Sequence, residues 1–190
     1  MAGYDEYEKT VDLIHLLIET VAFNGNLLLN VGPAADGTLP PIFVDRLVGI
    51  GEWLKVNGEA IYKSRPWSVC QNETASNVFY TVKEDNSTNQ KTLYVLLREW
   101  PEDDKLRLAC PQVTNQTRAR MVGVTNDVTW SKVVNMSEGK DAVTKVTQKS
   151  RKLPAKMRNQ GMELDLPPLN PSTIPCQHAW VVALTGIGNL

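Results

Sequence analysis

Histidine and cysteine are scarce in this chain, and neither sign of charge is in excess. Two histidines, His15 and His178, exclude a multi-histidine metal centre. Three cysteines, Cys70, Cys110 and Cys176, are too few and too scattered for a disulfide framework or a cysteine-based zinc site. Lys and Arg number 20 against 21 Asp and Glu, for a net charge of -1, so nothing draws in nucleic acid or an anionic membrane. No apolar run approaches the roughly 20 residues that cross a bilayer. The longest, residues 27–29 with Val31 beyond Asn30, is strand-sized. Met1-Ala2-Gly3-Tyr4-Asp5 has neither the charged start nor the apolar stretch of a signal peptide. What is present suffices for a globular chain: 190 residues, 42% of them hydrophobic, make one large domain or two small ones.

The pattern changes near Trp67. Before it, residues 7–22 have helical spacing, with Val11, Ile14, Ile18 and Val21 recurring and Leu13, Leu16 and Leu17 widening the stripe. Such a helix needs cover on more than one side. Asn24-Gly25 stops it, since either residue takes the left-handed conformation. Residues 26–31 form a continuous apolar run, the pattern of a parallel strand covered on both faces, and residues 32–38 form a loop. Pro40-Pro41 opens a second helix over 41–56, whose expected stripe is Phe43, Leu47, Ile50 and Leu54 beside Trp53. Helix, strand, loop, helix is a piece of an α/β fold, and one strand is not a sheet. This piece implies more sheet upstream, so the chain reads as the carboxyl-terminal part of a larger protein.

After Trp67 the period is two. Strands are expected over 77–83, over 91–100 with Leu93, Val95 and Leu97 on one face, at Leu106 and Leu108, over 118–124, 128–134 and 161–166, and over 179–185. Residues 161–166 alternate apolar in and acidic out. Residues 85–89 are a turn, and the basic, polar stretch 140–158 reads as a long exposed loop. Several short strands at this spacing suggest an antiparallel sandwich. The expected fold class is therefore α/β plus all-β, divided at 1–67 and 68–190.

Gly25-Asn26-Leu27-Leu28-Leu29-Asn30-Val31-Gly32-Pro33 with Asp36-Gly37, then Trp53-Leu54-Lys55-Val56-Asn57-Gly58-Glu59-Ala60-Ile61-Tyr62 and Pro66-Trp67, resembles the α-L-fucosidases of glycoside hydrolase family 29. The likeness continues more weakly through Val78-Phe79-Tyr80, Tyr94, Trp100-Pro101, Ala179-Trp180 and Leu184-Thr185-Gly186. The resemblance implies the terminal part of a (β/α)₈ barrel, with 26–31 a late strand and 41–56 the closing helix, followed by a β-sandwich. It implies a retaining hydrolase that removes terminal α-L-fucose from glycoconjugates without a metal or other cofactor. Retaining enzymes need two carboxyl groups about 5–5.5 Å apart, one attacking the sugar and one protonating the leaving oxygen. The family's pair lies upstream of the motifs kept here, so we expect no catalytic residue in this chain and none of the family's activity from it alone. Fucosylated glycans would be met by the complete enzyme, and a homo-oligomer is left open. The alternative is a non-catalytic sandwich module that binds carbohydrate or a partner.

The remaining candidates are weighed residue by residue. Asn30, closing a buried strand at the mouth of the barrel, must find partners; it holds backbone there or touches sugar. Asp36 before Gly37 suits a turn. Glu59 suits a cap on the turn after the second helix, Asp45 and Glu52 a solvated helix face, and Glu102-Asp103-Asp104 a loop rather than a metal site. His15 reads as a packed helix residue and His178 as a cap or loop contact before the last strand. Trp53, Trp67, Trp100, Trp130 and Trp180 are mostly core, with Trp67 at the junction. Asn72, Asn86, Asn115 and Asn135 each begin an N-glycosylation acceptor. Four in one region favour a lysosomal or secreted protein, where three cysteines leave at least one unpaired. Cys70 and Cys110 are one pairing open to them.

Overall fold

The computed structural model describes residues 7–125, 127–134, 160–172 and 176–190. Two helices, α1 (Thr10–Ala22) and α2 (Pro41–Asn57), come first, and a short 3₁₀ turn (Gly58–Ala60) ends α2. Among the described residues nine strands follow: β1 (Arg65–Pro66), β2 (Asn72–Glu73), β3 (Val78–Glu84), β4 (Lys91–Leu97), β5 (Lys105–Leu108), β6 (Val113–Met121), β7 (Thr129–Val134), β8 (Gln160–Asp165) and β9 (Trp180–Ile187). All pairings are antiparallel. The larger sheet runs β1-β3-β4-β9-β6, with β2 also on the outer edge of β3. The smaller runs β5-β8-β7.

Strand alternation sorts the larger sheet into two faces. Val78 and Tyr80 of β3, Leu93, Val95 and Leu97 of β4, and Val182 and Leu184 of β9 turn one way, onto Leu106, Leu108, Met162 and Leu164 of the smaller sheet. This is the core of the sandwich. The alternate residues, Phe79, Tyr94, Leu96, Val181 and Ala183, turn the other way and are covered by Ile14, Ile18 and Ala22 of α1 with Trp53 of α2. The full apolar run of β9 follows from cover on both faces. Among the described residues the smaller sheet is covered on one face only. There Glu163 and Asp165 point out and pair with Lys105, while Met162 and Leu164 are buried. The acidic-out alternation expected of 161–166 is what forms.

One expected element is absent. Residues 26–31 make no strand, and Leu28 is 92% exposed. A strand is a set of hydrogen bonds to neighbours, and no described strand lies beside these residues. The stop before them does form, with Asn24 at φ 62° in the left-handed region. The second helix turns much of the expected stripe inward: Trp53 and Asn57 are buried, and Ile50 and Leu54 pack against the core they share with α1, while Leu47 of that stripe is exposed along with Val44 and Val48. The sixth strand begins and ends earlier than the expected 118–124 and is irregular between Val113 and Arg118. The stretch 140–158 and the Asn135 acceptor lie outside the described residues.

Position 67 is crossed by packing. Trp53 Nε1 donates to the Ala179 carbonyl at 2.8 Å, and the Thr81 hydroxyl donates to the Ala60 carbonyl at 2.7 Å. Trp67 itself is buried edge-on against Tyr80, their centroids 5.1 Å apart. A disulfide joins Cys70, between β1 and β2, to Cys110, just after β5, with 6.2 Å between their Cα atoms. It ties one sheet to the other and leaves Cys176 free.

Candidate functional site

The structure keeps the polar residues of the amino-terminal third apart. Asn30 is exposed in the segment between α1 and α2, and its side chain has no hydrogen-bond partner among the described residues. The buried strand end that would have demanded one does not form. Asp36 makes a turn: one carboxylate oxygen accepts from the Thr38 amide at 3.0 Å and the Thr38 hydroxyl at 2.7 Å. These bonds favour the charged form and hold its pKa below the usual value. Asp45, exposed, pairs with Arg46 at 2.6 Å. His15 Nε2 lies 2.8 Å from the His178 carbonyl. A carbonyl only accepts, so His15 carries a proton on Nε2. His178, at φ 75°, brings that carbonyl round just before β9.

Glu59 does not cap a turn. Its two carboxylate oxygens accept from Arg120 Nη2 at 2.9 and 2.8 Å, and one of them also accepts from the Tyr94 hydroxyl at 3.2 Å. The end of α2 is thereby fastened to β4 and β6. Burial, followed by the Glu59 charge, pushes the Tyr94 phenol up to about 12, so it stays a neutral donor. Asp103 and Asp104 hold the loop between β4 and β5. Asp104 accepts from Trp100 Nε1 at 2.6 Å and Asp103 from Arg107 at 2.7 Å.

Sequence reading missed Glu73. Its carboxylate accepts from the Tyr80 hydroxyl and from the Cys110 and Ala109 amides, the amides at 2.9 and 2.8 Å. The disulfide and Glu73 thus hold the same corner. The one signal available was a carboxylate flanked by acceptor residues in a short strand, which carries no hint of a partner 36 residues away. Cys70, Glu73 and Cys110 are close enough to suggest a metal site, but the two sulfurs are bonded to each other.

Burial raises the Glu73 pKa above its ordinary 4.5, against its hydrogen bonds, which lower it. The folded chain therefore holds this proton more tightly than the unfolded one. Between 4.5 and the raised value, stability falls as pH rises; the favourable contribution is full below 4.5 and lost above the folded pKa. The wild type should accordingly lose ground to Glu73→Gln as pH rises above 4.5. Melting both proteins across a pH series that starts at 4.5 tests this, and a pH-independent difference would mean that folding does not raise the Glu73 pKa.

Among the described residues a recess lies between α2 and the residues leading into β9. It is about 540 Å³, lined by Glu52, Trp53, Leu169, Asn170, Cys176 and His178 among others. Among the described residues that line it, Glu52 is the single carboxylate. The other conspicuous surface is apolar. Leu16 and Phe23 of the α1 region, Leu28, and Val44, Leu47 and Val48 of α2 are all exposed. Among the described residues no helix is long and apolar enough to cross a membrane.

Comparison with known proteins covers both parts of the chain. Residues 2–59 match the family model for alpha-L-fucosidase, and residues 71–140 match that for the alpha-L-fucosidase C-terminal domain. The human tissue alpha-L-fucosidase is 35% identical over 187 residues, 98% of this chain and 34% of that protein. The cattle tissue enzyme is 38% identical over 175 residues, 92% of this chain and 31% of that protein. A Thermotoga maritima alpha-fucosidase solved in complex with fucose superposes with a TM-score of 0.66 at 23% identity, over 96% of this chain and 35% of the other, a likeness of fold. The chain spans about a third of the length of the curated relatives it matches.

Proposed function

The chain belongs to the α-L-fucosidase family and matches the carboxyl-terminal part of its members, and on that footing we propose that it supplies the sandwich and the closing elements of the barrel to a hydrolase of terminal α-L-fucose. The observation that carries this reading is the outward apolar face. Val44, Leu47 and Val48 on α2, Leu16 on α1 and the strand-like Leu28 are exposed. So many large apolar side chains exposed on two successive helices and the segment between them call for cover. A barrel lacking its last strand and helix would cover them, with residues 26–31 joining the sheet and α2 closing the ring. Asn30 would then stand at the carboxyl end of a barrel strand, the end where such barrels place their sites. Its role there, holding backbone or touching sugar, belongs to the same proposal.

The division of labour at about residue 67 is part of the reading: 1–67 complete the barrel, and 68–190 form the sandwich. A family match on both sides of that boundary speaks against a sandwich module read by itself. Relatives named as tissue and plasma enzymes support a lysosomal or secreted location. The Cys70–Cys110 disulfide suits such an oxidising compartment, and Asn72, Asn86, Asn115 and Asn135 would be its glycan acceptors.

Alone, the chain should not hydrolyse fucosides, because neither Asp36 nor Glu59 is free to act as half of a catalytic pair: one is a turn residue and the other an ion-pair partner. Losing catalytic groups costs many orders of magnitude in rate. The purified chain is therefore expected to release no nitrophenol from nitrophenyl α-L-fucoside above the uncatalysed rate. Turnover that disappears in Asp36→Asn would overturn the proposal.

A further inference from the structure

Asn72, Asn86 and Asn115 all expose the acceptor side chain, yet they sit in very different surroundings. A glycosyl transferase must lift the asparagine and the hydroxyl two residues on into its own site, so the whole tripeptide has to leave the fold. Around Asn86 that is easy. Asn86, Ser87 and Thr88 are exposed, and every hydrogen bond recorded for this turn stays within 85–90: Asp85 Oδ1 accepts from the Ser87 amide and hydroxyl at 2.8 and 2.6 Å, and the Thr88 hydroxyl accepts from the Gln90 amide at 3.3 Å. Opening it disturbs no packed residue.

Asn115 is the opposite case. Two residues on, Thr117 is 6% exposed. Its hydroxyl donates to the Gly186 carbonyl at 2.9 Å and accepts from the Thr114 amide at 2.8 Å. Gly186, at φ 66°, lies so close that an added Cβ would stand 2.4 Å from the Gln116 carbonyl oxygen. The last strand thus closes over this tripeptide. Asn72 is closed differently. Its strand is paired to β3, Asn72 opposite Phe79 and Glu73 opposite Val78. Glu73, the middle residue, is the half-buried acceptor described above, and Cys70 is locked to Cys110.

We propose that the folded chain takes an N-linked glycan at Asn86, and that Asn72 and Asn115 take one only before the corner at Glu73 and the last strand close over them. In the transfer, Asn86 Nδ2 forms the bond to C1 of the sugar. The bond from C1 to the oxygen of a lipid-pyrophosphate-linked oligosaccharide breaks, the pyrophosphate leaves with the electron pair, and the amide proton passes to water. The inference rests on the secretory reading of the chain, but its test does not. Because the transferase is supplied in vitro, the result is independent of how cells route the protein.

The full chain, made without glycans and folded with its disulfide formed, is given a purified oligosaccharyltransferase and a lipid-pyrophosphate-linked oligosaccharide. A reduced, alkylated and denatured sample of the same chain receives the same treatment, and peptides are mapped by mass spectrometry. In the denatured chain all three asparagines are modified. In the folded chain Asn86 keeps its rate, while Asn72 and Asn115 slow by about tenfold or more, since opening a turn is far easier than opening core strands. Folded Asn72 or Asn115 reacting as fast as folded Asn86, or folded Asn86 protected like the other two, would overturn the inference.

Discussion

Trp53→Ala should lower the melting temperature of the full chain by about 6–20 °C, the product of roughly 3–5 kcal/mol for truncating a buried tryptophan and roughly 2–4 °C per kcal/mol at this size. Trp53 is 3% exposed. It packs with Ile14 and Ile18 over Tyr94, Leu96 and Val181, and its ring nitrogen donates to the Ala179 carbonyl at 2.8 Å. Alanine leaves a cavity where α2 meets the start of β9 and removes the ring N–H from the Ala179 carbonyl, which then keeps only the weak Cys176 thiol donor at 3.5 Å. The Glu59–Arg120 pair fastens the end of α2 to β6 at 2.8 Å, but Arg120 is 46% exposed, and exposed pairs contribute about 0–1 kcal/mol. Arg120→Ala should therefore change little. Thermal unfolding of the two variants side by side separates the contributions. If Arg120→Ala costs as much as Trp53→Ala, the helices are held by charge and the packing account fails.

Reduction of the Cys70–Cys110 bond should be the second large effect. The bond closes a loop with a sequence separation of 40 residues. Loop-closure entropy for that length is worth about 4 kcal/mol, hence a fall of roughly 8–16 °C in melting temperature. The bond also joins the edge of the larger sheet to the end of β5, beside the Glu73 contacts to the Ala109 and Cys110 amides. Melting with and without a thiol reductant is the direct measurement, and Cys110→Ala serves as a check that no other cysteine is responsible. A reduced chain that melts within a degree or two of the oxidised one would mean that the hydrogen bonds of Glu73 hold the corner unaided.

Local patterns carried the reading where the chain itself supplies the partner. The alternation of Leu93, Val95 and Leu97 and of Met162 and Leu164 was enough to assign strands and their inner face, because each such strand has a neighbour and an opposite sheet within the chain. The helical spacing of α1 was legible for the same reason: Ile14 and Ile18 are buried, and the surplus apolar face of the amino-terminal third, with Leu16 exposed, is left over as the pattern implied. Residues 26–31 were misread as a formed strand although their composition is right, because pairing needs neighbours, and none of the described strands runs beside them. At the candidate site the turn role of Asp36 was visible, since its partner Thr38 is two residues away. The roles of Glu59 and Glu73 were not, since Arg120 and Cys110 are distant in sequence.

By itself, then, the amino-acid sequence determined the elements whose contacts are local or periodic, and the family through its contiguous phrases around Asn30 and Trp53. Tertiary structure alone decided that Leu47 of the expected stripe on α2 stays exposed, that the helices share a core with β3, β4 and β9, which two cysteines are bonded, and that Thr117 is sealed by Gly186 while Thr88 stays open. Periodicity states that a face must be covered; it holds no information about which distant residues arrive to cover it. That is set by the packing of one sheet against another and by the few buried polar groups whose partners the fold alone brings within reach.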